Sequence, residues 1–252
     1  MHLLKVVLLF VCLIYGTSAR DFFENLDPYF RRLIEASRGI INRECKNILE
    51  SQRDNFKTGW PVVGIKPLDP VYIDRFEIPL GTTNLTLLNA ELSGISDFTI
   101  DNCDLKVLGL YAAISMYFDQ LTIDGNHETK TKLGLINYQG SGDAEITFTG
   151  VSVTVEILLG VKGENQLNLD EFNFDIHVEK VVTHLTGFGL DAIDKAISAG
   201  LNETLRLAVN VGDVFFEALF AAFVYPVNAF LNRITLPQLI ADIIAFIQRY
   251  NS

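Results

Sequence analysis

The sequence predicts an α+β fold: a long, highly curved antiparallel β-sheet wrapped around a long C-terminal α-helix, with an amphipathic helix at the N-terminus. The sheet is indicated by stretches that alternate apolar and polar residues and then shift phase by one residue. Because strand side chains have a period of two, such a shift moves the buried set to the other face unless a bulge restores it. Repeated shifts therefore indicate bulges and curvature. They occur in residues 98–107, 116–123, 133–138, 145–157 and 167–178.

The long helix is predicted over residues 205–225, which would be apolar on nearly every face. A helix of that kind is either buried in a core or spans a membrane. Asp213, Glu217 and Pro226 cut the uncharged stretch below the roughly 20 residues that a bilayer requires. We therefore expect a buried helix and no transmembrane segment.

The N-terminal region predicts one long amphipathic helix, because apolar residues recur at spacings of three and four from Phe22 to Phe56. Asp27 is the expected cap and Pro28 a first-turn residue. Gly39 is a candidate for a break or bend in this helix.

A β region follows from residue 71 to about residue 180, where glycines are expected to divide a long antiparallel meander into hairpins. The pattern becomes helical after Thr186 and Gly187, with a kink expected at Gly200 and Asn202. A last helix is predicted over residues 237–249.

The first nineteen residues have the composition of a secretory signal peptide. Lys5 gives the basic start, residues 6–14 an apolar core, and Thr17-Ser18-Ala19 a small-residue cleavage site. We expect the mature chain to begin at Arg20 and residues 20–252 to form a single domain, because no Pro-, Gly- or Ser-rich linker interrupts them. The protein is therefore expected outside the cell.

An extracellular location gives two further features a meaning. Cys45 and Cys103, on the apolar stripe of the N-terminal helix and the apolar phase of a strand, are expected to form a disulfide bond. Asn84 and Asn202 each begin an Asn-x-Thr tripeptide and are expected to carry glycans. The formal net charge of −11 makes nucleic acid and anionic membrane surfaces poor partners.

Catalysis has little support in the sequence. It contains no Gly-x-Ser-x-Gly turn, no His-Glu-x-x-His and no phosphate-binding loop, so we expect no enzyme and no cofactor. His127, His177 and His184 are expected to have ordinary surface roles, and no metal site is predicted. Asp69, between Leu68 and Pro70, is interpreted as a turn residue whose carboxylate bonds to the backbone.

Seven segments resemble, in order, those of a known family. They are Glu44-Cys45-Lys46 with Gly59-Trp60-Pro61 to Pro67-Leu68-Asp69-Pro70, Gly94-Ile95-Ser96-Asp97-Phe98, residues 118–125, Gly140-Ser141-Gly142-Asp143-Ala144-Glu145, Phe172-Asn173-Phe174-Asp175-Ile176, Asp191-Ala192-Ile193 to Asn202-Glu203, and Leu231-Asn232-Arg233 to Leu236-Pro237. By these segments the chain resembles the insect haemolymph juvenile hormone binding and takeout-like proteins, within the tubular lipid-binding superfamily that includes mite lipid-binding allergens. That family usually carries two nearby cysteines before the connection at Gly59, whereas here only Cys45 matches.

The resemblance implies a sheet wrapped around a helix so as to leave an elongated apolar tunnel. The chain is then expected to be a secreted, monomeric carrier of a small hydrophobic ligand, such as a juvenile-hormone-like terpenoid or a fatty acid, in a haemolymph-type fluid. The eighteen phenylalanines agree with an apolar site. The predicted tunnel-lining residues are Phe98, Ile100, Met116, Phe118, Phe148, Phe174, Phe216 and Phe220.

Two alternatives remain open. The protein could bind lipid assemblies or microbial lipid through an exposed apolar tip, although its acidity argues against this. It could instead have a filled core and bind a receptor or another protein partner that the sequence does not identify. For each phenylalanine taken singly, core packing is the simpler interpretation.

Overall fold

The computed structural model describes residues 27–59, 67–133, 135–162, 166–211 and 235–250. The predicted signal peptide, the start at Arg20 and residues 212–225 of the predicted buried helix lie outside the described residues. Within them, five α-helices occur, besides two short 3-10 helices at Ile95–Asp97 and Val107–Gly109. The α-helices are α1 (Pro28–Ala36), α2 (Arg38–Glu50), α3 (Arg53–Thr58), α4 (Asp191–Val211) and α5 (Leu236–Tyr250).

Six antiparallel strands form one sheet, and the order β1-β2-β4-β5-β6 follows the chain except at β3. The strand β4 is paired along its whole length with β5 on one side. On its other side, β3 pairs with residues 111–118 and β2 with residues 122–130. The strands are β1 (Val71–Leu80), β2 (Thr83–Ser93), β3 (Phe98–Lys106), β4 (Tyr111–Leu133), β5 (Ile136–Lys162) and β6 (Gln166–Leu185).

The prediction of a curved antiparallel sheet with helices at both ends of the chain is confirmed. Two of the predicted phase shifts are bulges. In β3 the register with β4 shifts between Ile100 and Asn102, and in β6 it shifts opposite Leu158 and Leu159. An extra residue in one strand restores the buried set there, as the sequence pattern indicated.

The shifts in β4 and β5 have a different cause. The pairs Phe118–Val151 and Gln120–Thr149 lie on either side of the shift without a change of register. Both strands change their buried phase at the same level, and Gly150 adopts a left-handed φ of 64° there. The shift is thus a crease that crosses neighbouring strands, and the single-strand bulge predicted at this point is wrong.

The predicted shift at residues 133–138 is also wrong, because the chain reverses there. Leu133 ends β4 and pairs with Ile136, which begins β5. Several glycines expected at turns lie inside these long strands instead. A side chain at Gly125 would come within 2.6 Å of the Ala90 backbone, so close strand packing accounts for this glycine.

The N-terminal region forms three short helices where one was predicted. Asp27 caps α1 as expected, since its carboxylate accepts a hydrogen bond from the Tyr29 amide at 2.8 Å. The break falls at the buried Ser37, whereas Gly39 lies inside α2. Later in the chain, α4 runs through Gly200 without the predicted interruption, and α5 lies within one residue of its prediction.

Among the described residues, no helix is long and apolar enough to cross a membrane. The apolar stripe of α4 is buried and joins the same core as the sheet. Its spacing of four residues is that of one helix face. The buried members of this stripe are Ile197, Leu201, Leu205 and Val209.

Candidate functional site

One face of the sheet carries apolar residues in rows that cross four strands, β3, β4, β5 and β6. Residues directly opposite each other in neighbouring strands share a face, and so do alternate residues along one strand. We call this set the apolar grid. Its rows are Phe98–Phe118–Val151–Val178, Ile100–Met116–Val153–Ile176, Cys103–Ile114–Val155–Phe174 and Leu105–Ala112–Ile157–Phe172.

Exposure changes across the apolar grid. All its β3 members are buried, and Phe98 is only 1% exposed. On β6, Ile176 and Phe174 are half-buried although they pack against the core. Val178, at the β6 end of the first row, is fully buried, so the grid is closed at β3 and along that row and is more accessible only towards Ile176 and Phe174.

At the closed end, α3 packs on the start of β3. The Phe56 ring meets the Phe98 ring edge-on with centroids 5.4 Å apart, and Phe118 approaches Phe98 at 6.4 Å in a similar geometry. The Arg53 guanidinium lies 4.8 Å from the centre of the Phe98 ring. These contacts make Phe98 part of a packed aromatic cluster.

Asp69 fixes the turn that leads into β3. Its carboxylate accepts hydrogen bonds from the Gly94 amide at 3.0 Å, from the Ser96 amide at 2.8 Å and from the Ser96 hydroxyl. Burial acts to raise the pKa of Asp69, but the hydrogen bonds from Ser96 and Gly94 and the charge of Lys57 outweigh it and lower the pKa. The predicted carboxylate–backbone bonding is present, although it joins Asp69 to a distant turn instead of its own.

The helix α2 is fastened along β3 by residues on one of its faces. A disulfide bond joins Cys45 to Cys103, which confirms the predicted pair. The Asn42 side-chain carbonyl accepts a hydrogen bond from the Leu105 amide at 2.9 Å, and Arg38 forms an ion pair with Asp104. This contact, which we call the β3 seam, covers the outer edge of β3.

The helix α4 covers the edge of β6 in a comparable way, and we call this contact the β6 seam. The Asn210 amide group donates to the Val178 carbonyl at 3.1 Å and accepts from the Val178 amide at 2.7 Å. Asn202 accepts from the Thr183 amide at 2.8 Å, and the Ser198 hydroxyl accepts from Leu185 at 2.9 Å. These side chains take the place of a neighbouring strand, which protects an edge that would otherwise be open to pairing.

Beyond the crease, a buried histidine ties the sheet to the segment before α4. His127 is 1% exposed, which corrects the expected surface role. Its Nε2 lies 2.8 Å from the Thr186 carbonyl, so Nε2 donates, and its Nδ1 lies 2.7 Å from the Thr129 hydroxyl. Burial lowers the pKa of His127, although the Thr186 carbonyl, Asp143 and Asp194 act to raise it.

The structure brings five of the predicted lining residues together on the apolar grid: Phe98, Ile100, Met116, Phe118 and Phe174. Phe148 is buried beyond the crease, opposite Leu121 and Val181. Phe216 and Phe220 lie outside the described residues. Sequence reasoning did not select Val153 and Ile176, although they complete the row of Ile100 and Met116, because alternation gives a face but not the register between strands.

The two predicted glycosylation acceptors have different surroundings. Asn84 is exposed and lines a polar groove of about 360 Å³ that contains Arg75, Glu77 and Lys130. Asn202 is half-buried in the β6 seam, where its carbonyl is already hydrogen-bonded. Among the described residues, no group of three His, Cys, Asp or Glu side chains is placed to hold a metal ion.

The sequence matches the family model described as haemolymph juvenile hormone binding protein over residues 8–241. The chain belongs to this family. This confirms the resemblance given by the sequence segments.

Structural comparison agrees with the assignment to the juvenile hormone binding protein family. The crystal structure of Takeout 1 from Epiphyas postvittana is similar to this chain with a TM-score of 0.65 and 15% sequence identity, over 78% of this chain and 94% of that one. At this identity the likeness establishes the fold alone. A crystal structure of lipopolysaccharide binding protein matches with a TM-score of 0.35 and 14% identity, over 74% of this chain and 38% of that one, which is too low to support an argument. No curated protein matches the sequence significantly.

Proposed function

We propose that this protein is a secreted carrier that holds a small hydrophobic ligand against the apolar grid. The observation that carries the proposal is the change in exposure across the grid, from buried at β3 to half-buried at Ile176 and Phe174. Membership of the juvenile hormone binding protein family supports the same function. No residue has to react, so the protein acts by binding and release.

The chemistry of the grid selects the class of ligand. Its members are aliphatic and aromatic, and small-molecule sites are commonly apolar with few polar anchors. Each Å² of apolar surface removed from water contributes roughly 25 cal/mol, so a terpenoid or an acyl chain would bind mainly through its length. A juvenile-hormone-like terpenoid and a fatty acid both meet this requirement.

The position of the ligand within the grid follows from the packing. Phe98 and Phe118 are only 1% and 6% exposed, so we assign them to the packed wall at the closed end. Phe174 and Ile176, on the more accessible side, are assigned to the ligand. Met116 is half-buried and would contact both the packed wall and the ligand.

Two substitutions on the grid test this assignment, one at each end. Phe174→Asp should weaken binding of a fluorescent fatty acid by about tenfold or more. Its free energy of unfolding should change less than that of Phe118→Asp. Phe118→Asp buries a charge without a partner. It should therefore lower the free energy of unfolding by about 3 kcal/mol or more. Titration of the ligand and urea denaturation on the same proteins measure the two effects.

Ser152→Asp is the matched control, since Ser152 is exposed on the opposite face of β5. It should change neither affinity nor stability appreciably. Affinity that is the same for the wild type and Phe174→Asp, in a protein that still folds, would contradict the assignment of Phe174 to the ligand.

Native mass spectrometry of protein secreted from insect cells tests the carrier function itself. The expected result is one chain with a bound mass of a few hundred daltons that organic extraction removes, and an N-terminus at Arg20. Glycosylation at Asn84 and Asn202 is read from the same spectra. Carriage would be refuted if the extracted and the untreated protein had equal masses and the extracted protein bound neither a fatty acid nor a terpenoid.

A further inference from the structure

The hairpin that joins β4 and β5 extends past its neighbours in the sheet. The pairing of β2 with β4 ends at Lys130, and the pairing of β6 with β5 begins at Ala144. Beyond these points the backbones of the two strands pair only with each other, up to Leu133 and Ile136. Thr131 is still hydrogen-bonded to Thr83 of β2, and Tyr138 packs against the core, so the part that projects is the end of the hairpin. We call residues 130–133 and 135–138 the hairpin tip.

The hairpin tip exposes large apolar side chains. Leu135 is 96% exposed and Ile136 is 58% exposed, and they are adjacent at the end of the hairpin. Isolated apolar residues on a surface are ordinary, but adjacent ones at a projecting end are more typical of an interaction site.

The charge of this region differs from that of the rest of the chain. Residues 129–142 contain Lys130 and Lys132, both exposed, and no Asp or Glu, whereas the whole chain has a formal net charge of −11. Lys130 shares a polar groove with Glu77 and Glu128, so Lys132 is the lysine of the hairpin outside that groove. The hairpin tip is therefore a basic projection on an acidic protein. The argument from overall charge against lipid surfaces does not apply to it.

We propose that the hairpin tip docks on an anionic lipid bilayer. Leu135 and Ile136 would enter the interfacial region, while Lys130 and Lys132 remain at the level of the phosphate groups. Lysine near such a surface gains electrostatic attraction, and its stem covers apolar atoms while the ammonium stays hydrated. The acidic remainder of the protein keeps the contact confined to the tip and reversible.

A lipid surface fits the hairpin tip better than a protein partner does. A stable protein–protein interface buries about 800 Å² on each side, which adjacent side chains at the end of one hairpin do not supply. An anionic bilayer needs only a small apolar anchor with nearby basic residues. The proposal does not depend on carriage, since a tip that binds vesicles needs no ligand in the apolar grid.

Vesicle flotation tests the proposal. The protein is mixed with phosphatidylcholine vesicles, either alone or with about 30 mol% phosphatidylserine, and the bound fraction is measured. We expect binding to the anionic vesicles only, reduced when salt rises from about 0.1 M to about 0.5 M. Leu135→Asp should weaken this binding by about tenfold or more, and Lys132→Gln by about fivefold.

Leu207→Asp is the matched control, because Leu207 is an exposed leucine on α4, away from the hairpin. It should leave vesicle binding unchanged, and both leucine variants should retain the melting temperature and the fatty-acid affinity of the wild type. Absence of binding to anionic vesicles, or equal loss in both leucine variants, would overturn the proposal. So would self-association of the wild type that Leu135→Asp abolishes, since the tip would then be an interface between copies of the chain.

Discussion

The β3 seam and the β6 seam solve the same problem with different chemistry. Each is a helix laid along a strand edge, and in each a side-chain carbonyl or hydroxyl of the helix accepts a hydrogen bond from an edge amide. The β3 seam adds the Cys45–Cys103 disulfide and the Arg38–Asp104 ion pair. The hydrogen bonds described above for the β6 seam all join neutral groups.

This difference coincides with the change in exposure of the apolar grid. The β3 members of the grid, beside the covalently fastened seam, are buried, whereas Ile176 and Phe174 on the strand of the seam without a disulfide are half-buried. Neutral hydrogen bonds each contribute about 1 kcal/mol net, so their partners separate and re-form readily, whereas a disulfide does not open without a reductant. We expect the proposed ligand to enter along the β6 seam while the β3 seam keeps its position.

The largest effect is expected from removing the covalent part of the β3 seam. Cys45→Ala combined with Cys103→Ala opens a loop whose ends are 58 residues apart in the sequence. The chain-entropy model gives a loss of about 4 kcal/mol in the free energy of unfolding. Urea denaturation of the double variant measures this loss.

Labelling of free thiols in the unfolded, unreduced protein is the matching control. The wild type should show none at Cys45 and Cys103. Labelling of both cysteines, or a double variant as stable as the wild type, would show that the β3 seam does not depend on the bond.

A smaller effect is expected from the β6 seam. Asn210→Ala leaves both the amide and the carbonyl of Val178 without their side-chain partner, which should cost about 1–3 kcal/mol. The change should act locally, so the Val178 amide should exchange with deuterium faster than the amides of β3. Hydrogen exchange resolved by residue measures it.

Asn42→Ala is the equivalent substitution in the β3 seam, because Asn42 accepts from the Leu105 amide. With the disulfide in place, exchange at Leu105 should rise less than exchange at Val178 does in Asn210→Ala. If the Leu105 amide in Asn42→Ala exchanges as fast as the Val178 amide in Asn210→Ala, the disulfide does not make the β3 seam the more rigid of the two.

Sequence reasoning predicted the elements better than their contacts. Alternation of apolar residues located the β region, and the spacing around Asp27 located the first helix, because these patterns depend on the periods of single elements. Alternation within one strand does not give the register between strands, so the sequence pattern at Gly150 predicts a bulge where the structure has a crease. The apolar grid depends on that register, which explains why Ile176 was missed.

The polar contacts of the seams were also beyond the sequence. Asn210 lies within the helix predicted over residues 205–225, and its two hydrogen bonds to Val178 depend on how α4 lies along β6. His127 was expected at the surface, although it continues the phase of Leu121 and Ile123, which the structure packs against or within the core. Cys45 and Cys103 were predicted as a pair because both fell on apolar positions in a chain expected to be secreted.

The two regions also differ in their response to pH, and the smallest predicted effect separates them. At the β3 seam, burial acts to raise the pKa of Asp104, but hydrogen bonding and charge from Arg38, with Asn42 and Lys106, lower it. A carboxyl group with a lowered pKa stabilises the fold above its unfolded pKa of about 3.9 and loses this contribution as the pH falls through the folded value. The β3 seam should therefore weaken only in strong acid.

The segment leading into the β6 seam should respond at milder pH through His127. Burial lowers the pKa of His127 below its unfolded value of about 6.5, so the unfolded chain binds a proton before the folded chain does. The free energy of unfolding should fall as the pH drops from about 6.5 to the folded pKa of His127, and its contribution should level off below that. His127→Gln should remove this part of the fall in urea denaturation between neutral and mildly acidic pH. His184→Gln, at an exposed position of β6, should retain it, and an unchanged fall in His127→Gln would assign the acid sensitivity to another group.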